Sequence, residues 1–145
     1  CGLPERFRSA GPGGGVIQDS ASSATLCALL AARERAGGVG SLDRLVVYAS
    51  DQAHSSVEKS ARIAGLSHVR AVPSDDSYAM RVDELAAHMA ADAAAGLVPC
   101  FVAATVGTTS SGAIDPVTAI ADVAGSHGAW VHVDAAYAGS AAVCP

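Results

Sequence analysis

The chain lacks the patterns that mark several classes of protein. It has a single lysine, Lys59, and its nine basic residues are scattered, so no basic stripe is present to neutralise nucleic-acid phosphates. No apolar run reaches the roughly 18 to 20 residues of a membrane-spanning helix, and the first residues do not resemble a signal peptide. We therefore expect a soluble, cytoplasmic protein without nucleic-acid or membrane partners.

The cysteines also lack a functional pattern. They form no CxxC pair, and no histidine lies at metal-ligand spacing from them, so we expect reduced thiols and no metal site. The four are Cys1, Cys27, Cys100 and Cys144. What the chain does contain is apolar: half of its 145 residues are hydrophobic and 16% are charged, which is typical of one globular domain with a sizeable core.

Strand-like and helix-like segments alternate along most of the chain. A Gly- and Pro-rich connecting segment, residues 1–15, precedes a first helix predicted over residues 20–36. Strands are predicted at residues 45–50, 68–73, 99–106 and 129–134, and further helices at 54–65, 81–96 and 115–128. We expect Asp115, directly before Pro116, to cap the last helix. The alternation predicts an α/β fold with a mainly parallel sheet and helices on both faces.

The carboxyl ends of the predicted strands are the expected site, because ligands of open parallel sheets gather there. This places a site at residues 50–54, 107–110 and 134–137, together with the Gly-rich approach to the first helix. Asp134 is unusual at the end of the apolar run WVHVD, since an unpaired interior carboxylate costs several kcal/mol. Either it caps a turn at a solvated strand end, or a positive charge meets it.

The other segments each have an ordinary and a functional interpretation. Residues 13–22 form a glycine loop with a serine cap, or an anion site made of free N–H groups at a helix start. His54 is a capping or solvated histidine, or a ring that stacks on a planar cofactor or moves a proton. Residues 107–112 are a turn of small residues or a row of ligand-binding hydroxyls. No GxGxxG motif is present, which disfavours a nicotinamide-binding fold.

Five segments together resemble the large domain of the pyridoxal-phosphate-dependent group II decarboxylases, the family of aromatic L-amino-acid, tyrosine, histidine and glutamate decarboxylases. They are GGGVIQDSASSAT (13–25), LLAARERA (29–36), YASDQAHSSVEKSARIAGL (48–66), ATVGTTSSGAIDP (104–116) and WVHVDAAYAGSAAVCP (130–145). The resemblance implies the fold-type I large domain, pyridoxal 5'-phosphate as cofactor, an amino-acid substrate and a homodimeric full-length enzyme.

The resemblance also implies roles for individual residues. Asp134 resembles the aspartate that pairs with the protonated pyridine nitrogen, so that the ring accepts electrons. His54 resembles the histidine that stacks on the ring, and these two are the implied catalytic residues. The other implied cofactor-binding positions are Thr109 and Ala136 near the ring, and Ser20, Ala21 and Ser22 at the phosphate.

The sequence departs from the family at several positions. Asp19 stands where relatives often carry glycine, which puts a negative charge beside the implied phosphate site, and Ser23 stands where they often carry an acid. Lys59 lies on a solvated helix face, and we expect the family's Schiff-base lysine beyond Pro145. We therefore expect residues 1–145 to be a fragment of the large domain, without the N-terminal segment, the lysine region and the C-terminal small domain, and inactive alone.

The segment DAAYAGSA, with Tyr137 after two alanines, resembles the aromatic branch of the family. This implies tyrosine, dihydroxyphenylalanine, tryptophan or phenylalanine as substrate, with decarboxylation to the amine and CO2. The alternatives on the same fold are an aldehyde synthase, a desulfurase-type enzyme, a glutamate decarboxylase and a histidine decarboxylase. A non-catalytic truncated interaction module is the alternative from another class.

Overall fold

A four-stranded parallel sheet forms the centre of the structure, a computed structural model that describes residues 4–144. The strands are β1 (Leu45–Ser50), β2 (His68–Val72), β3 (Val98–Thr105) and β4 (Trp130–Asp134). The helices are α1 (Ala21–Arg35), α2 (Ser56–Ile63), α3 (Val82–Ala94) and α4 (Val117–Ser126). The strand order is β2-β1-β3-β4 with every pair parallel, which confirms the predicted α/β fold.

The core consists of one apolar layer on each face of the sheet. Side chains of a strand alternate between the faces, so neighbours such as Val46 and Val47 enter different layers. The layer under α1 and α2 contains Leu29, Val47, Val57, Phe101 and Ala103, and the layer under α3 and α4 contains Tyr48, Leu85, Val102, Ala104 and Ile120. Helices on both faces were predicted, and this prediction is confirmed.

Three glycines explain why the predicted and observed helix ends agree closely. Gly65, Gly96 and Gly128 follow the caps of α2, α3 and α4 with φ values of 80°, 81° and 67°. After each glycine the next N–H donates to a carbonyl five residues back, as Leu66 does to Ala61 at 2.9 Å. Glycine adopts this left-handed backbone at little cost, so it stops a helix at a defined residue and turns the chain towards the next strand.

The prediction that Asp115 caps α4 is wrong. Pro116 precedes α4 without a side-chain cap, and the Asp115 carboxylate instead accepts two buried N–H groups. Its Oδ1 lies 2.8 Å from the Met80 nitrogen and its Oδ2 lies 2.7 Å from the Thr105 nitrogen. Asp115 is 2% exposed, so it ties the carboxyl end of β3 to the chain before α3 from inside the molecule.

Three thiols are unpaired, as expected: Cys27 and Cys144 are exposed and Cys100 is buried. Burial raises the pKa of the Cys100 thiol to about 11. Cys1, which was also predicted to be a reduced thiol, lies outside the described residues. Within residues 4–144, no helix is long and apolar enough to cross a membrane.

We expect Asp115→Ala to lower the free energy of unfolding by about 2 to 5 kcal/mol, because two buried N–H groups would lose their acceptor. The measurement is urea unfolding of the full-length protein, meaning the product of the complete reading frame that carries these residues. Asp122→Ala, an exposed change in α4, is the control and should alter stability by less than about 0.5 kcal/mol. Equal unfolding midpoints for the two variants would contradict the assigned role.

Candidate functional site

A cavity of about 470 Å³ opens at the carboxyl ends of β3 and β4, beside the start of α1. It adjoins the point between β1 and β3 where the strand order reverses, which is where open α/β sheets bind ligands. Six of the seven predicted site residues line it: Ala21, Ser22, His54, Thr109, Asp134 and Ala136. The other lining residues are Gly107 and Tyr137, which lie in the predicted site loops, and Ser56 and Thr105, which lie outside them.

Asp134 ends β4 with one carboxylate oxygen engaged. Its Oδ1 accepts the N–H of Ala136 at 3.1 Å, which is the turn-capping bond that the ordinary interpretation expects. Within residues 4–144, no lysine or arginine forms a salt bridge with Asp134, and no hydrogen bond reaches Oδ2. The second oxygen is therefore available to a cationic group that enters the cavity.

His54 is held in one tautomer by the start of α2. Its Nδ1 accepts the backbone N–H of Ser56 at 3.2 Å and lies 2.9 Å from the Ser56 Oγ. A backbone N–H only donates, so the neutral ring carries its hydrogen on Nε2. The bond also explains why α2 begins at Ser56 rather than at the predicted residue 54. His54 thus accepts the N–H of the first residue of α2 and carries an N–H donor on its other ring nitrogen.

The start of α1 offers two free backbone donors. Ser20 is the N-cap, and its Oγ accepts the N–H of Ser23 at 3.2 Å. The N–H groups of Ala21 and Ser22 have no acceptor among the described residues, as the geometry of a helix start requires. Both residues line the cavity and Ser20 does not, so the anion-binding capacity lies at Ala21 and Ser22.

The two threonines after β3 have different surroundings. Thr108 is buried, and its Oγ1 lies 2.6 Å from the Ser111 Oγ and accepts the Ala113 N–H, so it stabilises the turn. Thr109 is exposed to the cavity, and its hydroxyl makes no hydrogen bond within the described part of the chain. Gly107 has φ 88°, and a Cβ there would come within 2.8 Å of the Tyr137 ring. The turn therefore supplies the free hydroxyl of Thr109 and lets the Tyr137 ring lie close to the backbone at Gly107.

His132 lies two residues before Asp134 on the same face of β4. Its ring stacks on Phe101 with centroids 5.5 Å apart, and its Nε2 lies 3.4 Å from the Thr25 Oγ1. Burial lowers the pKa of His132, and the nearby negative charge of Asp134 offsets this only in part. The ring is therefore neutral at pH 7 and leaves the Asp134 charge uncompensated.

The fold and the cavity define the class of protein: a parallel α/β domain whose ligand site lies at the carboxyl ends of the strands beside a helix start. The family model described as the pyridoxal-dependent decarboxylase conserved domain matches residues 1–145. The chain belongs to this family, as its motifs predicted, and the cofactor of the family is pyridoxal phosphate.

Comparison with individual proteins places the chain near enzymes of aromatic amino acids. It is 51% identical to phenylacetaldehyde synthase of Arabidopsis thaliana, over 99% of this chain and 31% of that enzyme. It is 50% identical to tryptophan decarboxylase 2 of Oryza sativa subsp. japonica, over 99% of this chain and 30% of that enzyme. The crystal structure of Oryza sativa TDC with PLP and tryptamine superposes with a TM-score of 0.94 at 51% identity, covering 99% of this chain and 31% of that chain. The chain thus spans about a third of the length of these relatives.

The residues present fit the family's cofactor. The free Asp134 oxygen suits a protonated ring nitrogen, and the two adjacent, unbonded N–H groups of Ala21 and Ser22 suit a phosphate. Ala136 leaves space for a flat ring because its side chain is a single methyl group. Lys59 is exposed on α2 and does not line the cavity, in agreement with its predicted place on a solvated helix face.

We expect the stability of the full-length protein to fall as the pH drops below about 6.5, partly because of His132. An unfolded histidine takes up a proton near that pH, whereas the folded ring resists it, so lower pH favours the unfolded state. His132→Gln should make the thermal midpoint less dependent on pH between about 7 and about 5.5. His127→Gln at the end of α4 is the control, and an equal flattening in both variants would count against this origin.

Proposed function

We propose that the full-length protein catalyses the pyridoxal-phosphate-dependent decarboxylation of an aromatic L-amino acid to the amine and CO2. In this proposal, residues 1–145 form part of the cofactor-binding large domain. The observation that carries it is that Asp134, with one carboxylate oxygen free among the described residues, lines the same cavity as the helix-start residues Ala21 and Ser22 and as His54. A cationic ring nitrogen and an anionic phosphate are complementary to these two ends of the site.

Asp134 would hold the ring nitrogen in its protonated form. The cofactor, when bound, supplies an electron sink for the electron pair that loss of CO2 leaves on the α-carbon of the substrate. The chain's contribution is electrostatic: the Asp134 carboxylate keeps a proton on the ring nitrogen, and its Oδ1 bond to Ala136 fixes the direction of the carboxylate.

The remaining residues would orient the bound group. The N–H groups of Ala21 and Ser22 would hold the phosphate, and the Thr109 hydroxyl would contact the cofactor near the ring. We propose that Ser20 contributes by capping α1, which keeps these N–H groups in place. The His54 ring would pack on one face of the cofactor with Ala136 opposite, and its Nε2–H would donate a hydrogen bond.

The aromatic substrate class is supported by residues at the cavity and by the relatives. Tyr137 lines the cavity and is 77% exposed, so its ring is available to contact an aromatic side chain. A tryptophan decarboxylase is among the relatives at 50% identity. A second candidate reaction, aldehyde synthesis by decarboxylation with oxidative deamination, is favoured by the 51% identity to phenylacetaldehyde synthase.

We also propose a cytoplasmic homodimer for the full-length protein. Val16 and Ile17, just before α1, are 77% and 98% exposed, and Tyr137 and Val143 beyond β4 are likewise exposed. These exposed apolar side chains support a partner surface, since large exposed apolar patches mark interfaces.

Asp134→Ala should nearly abolish turnover by the full-length protein. By analogy with buried charge pairs, where loss of one partner costs about 3 to 5 kcal/mol, we expect a fall of roughly 10²- to 10⁴-fold in kcat/KM. The measurement is release of CO2 from tyrosine, dihydroxyphenylalanine, tryptophan and phenylalanine. Asp122→Ala on exposed α4 is the matched control and should retain normal activity. Near-normal turnover by the Asp134 variant would refute the assignment.

Product analysis should separate the two candidate reactions. We expect the amine to accumulate with CO2, because decarboxylation needs no oxidant beyond the cofactor's electron sink. Aldehyde and ammonia in place of the amine would assign the second reaction. Glutamate and histidine serve as control substrates and should give no product, because Tyr137 favours an apolar ring; turnover of either above the aromatic substrates would contradict the proposed class.

A further inference from the structure

Thr105, the last residue of β3, has a buried hydroxyl without a hydrogen-bond partner. The residue is 4% exposed, and its Oγ1 contacts no donor or acceptor among residues 4–144. Buried hydroxyls are almost always paired, because desolvation without a compensating bond costs stability. Thr25, another buried threonine under α1, follows this rule, since its Oγ1 donates to the Ala21 carbonyl at 3.0 Å. Thr105 is therefore an exception at this face of the sheet.

The residue that carries the unpaired hydroxyl lines the candidate site. Along β3, Phe101 and Ala103 enter the layer under α1 and α2, and Thr105 follows them on the same face by strand alternation. Thr105 lines the cavity and is the direct register partner of Asp134 on β4. Its side chain thus lies beside the Asp134 carboxylate at the wall of the cavity.

The backbone of Thr105 is fixed on both sides. Its N–H donates to the Asp115 Oδ2 at 2.7 Å, and its carbonyl accepts the Asp115 N–H at 2.9 Å. The Asp115 carboxylate is itself buried and also holds the Met80 N–H. Such a frame keeps Thr105 in place at the cavity wall, beside any group that binds there.

We propose that Thr105 is a further cofactor-binding residue, whose hydroxyl forms its hydrogen bond with the group bound at Asp134. The inference rests on the proposed function and adds a ring-side contact to Asp134, His54 and Thr109. It also explains why an unpaired hydroxyl is buried there: the free-energy cost of its desolvation in the free chain is offset when the cofactor supplies a hydrogen-bond partner.

The test compares Thr105→Val, which has the same shape without the hydroxyl, with Thr105→Ser, which retains the hydroxyl. Pyridoxal 5'-phosphate is titrated into the cofactor-free full-length protein by equilibrium dialysis, and the thermal midpoint is measured without cofactor. We expect Thr105→Val to bind the cofactor about 3- to 30-fold more weakly, the effect of one lost hydrogen bond. Its cofactor-free midpoint should be equal to or above that of the unchanged protein, because no existing bond is lost.

The controls separate a ligand contact from a structural role. Thr105→Ser should bind within about threefold of the unchanged protein, and Thr118→Val, on the exposed side of α4, should not change either measurement. Unchanged affinity in Thr105→Val, with normal binding by the parent protein, would overturn this inference and leave the proposed function standing. A lower cofactor-free midpoint together with failure of Thr105→Ser to restore binding would overturn it as well. Absence of cofactor binding in the parent protein would refute both.

Discussion

The parallel pairing of β3 between β1 and β4 is the constraint on which the site depends. Backbone register places Thr105 directly opposite Asp134, and the bond from the Val106 N–H to the Asp134 carbonyl, 2.8 Å, continues the pairing one residue beyond the strands. Because all strands run in the same direction, their carboxyl ends meet at one edge, where the start of α1 also arrives. Residues separated by more than 100 positions, Ala21 and Asp134, thereby line one cavity.

The hydrogen-bond partners of three aspartates, Asp92, Asp115 and Asp134, differ in whether they use both carboxylate oxygens within the described chain. Asp92 is buried and fully engaged, because Arg70 lies 2.6 Å and the Tyr48 hydroxyl 2.9 Å from its oxygens. Burial alone would raise the pKa of Asp92, but the hydrogen bonds from Arg70 and Tyr48 outweigh it and lower the pKa. Asp115 is satisfied by two N–H groups. Asp134, in contrast, is half-buried and retains an oxygen without a partner in the described chain, so this oxygen is open to solvent or to a group in the cavity.

Much of the fold followed from local sequence, and the exceptions are contacts between distant segments. The run LVVYAS gave β1 at its observed bounds, and glycines placed the ends of three helices, since both signals act within a few residues. Asp115 was misassigned because its acceptor role depends on Met80, 35 residues away, and proximity in sequence to Pro116 suggested a cap. Thr105 lay within the predicted strand 99–106, and nothing in the local sequence singled it out. Only the register with Asp134 and the unpaired hydroxyl distinguish it.

The neutral state of His132 completes the electrostatics of the site. A protonated ring two residues before Asp134 would lie close to the carboxylate and would compete with a ligand cation for it. Stacking on Phe101 and contact with Thr25 bury this ring, and burial favours its neutral form more strongly than Asp134 favours the charged one. The packing of β4 against α1 thus leaves the Asp134 carboxylate without a protonated histidine beside it.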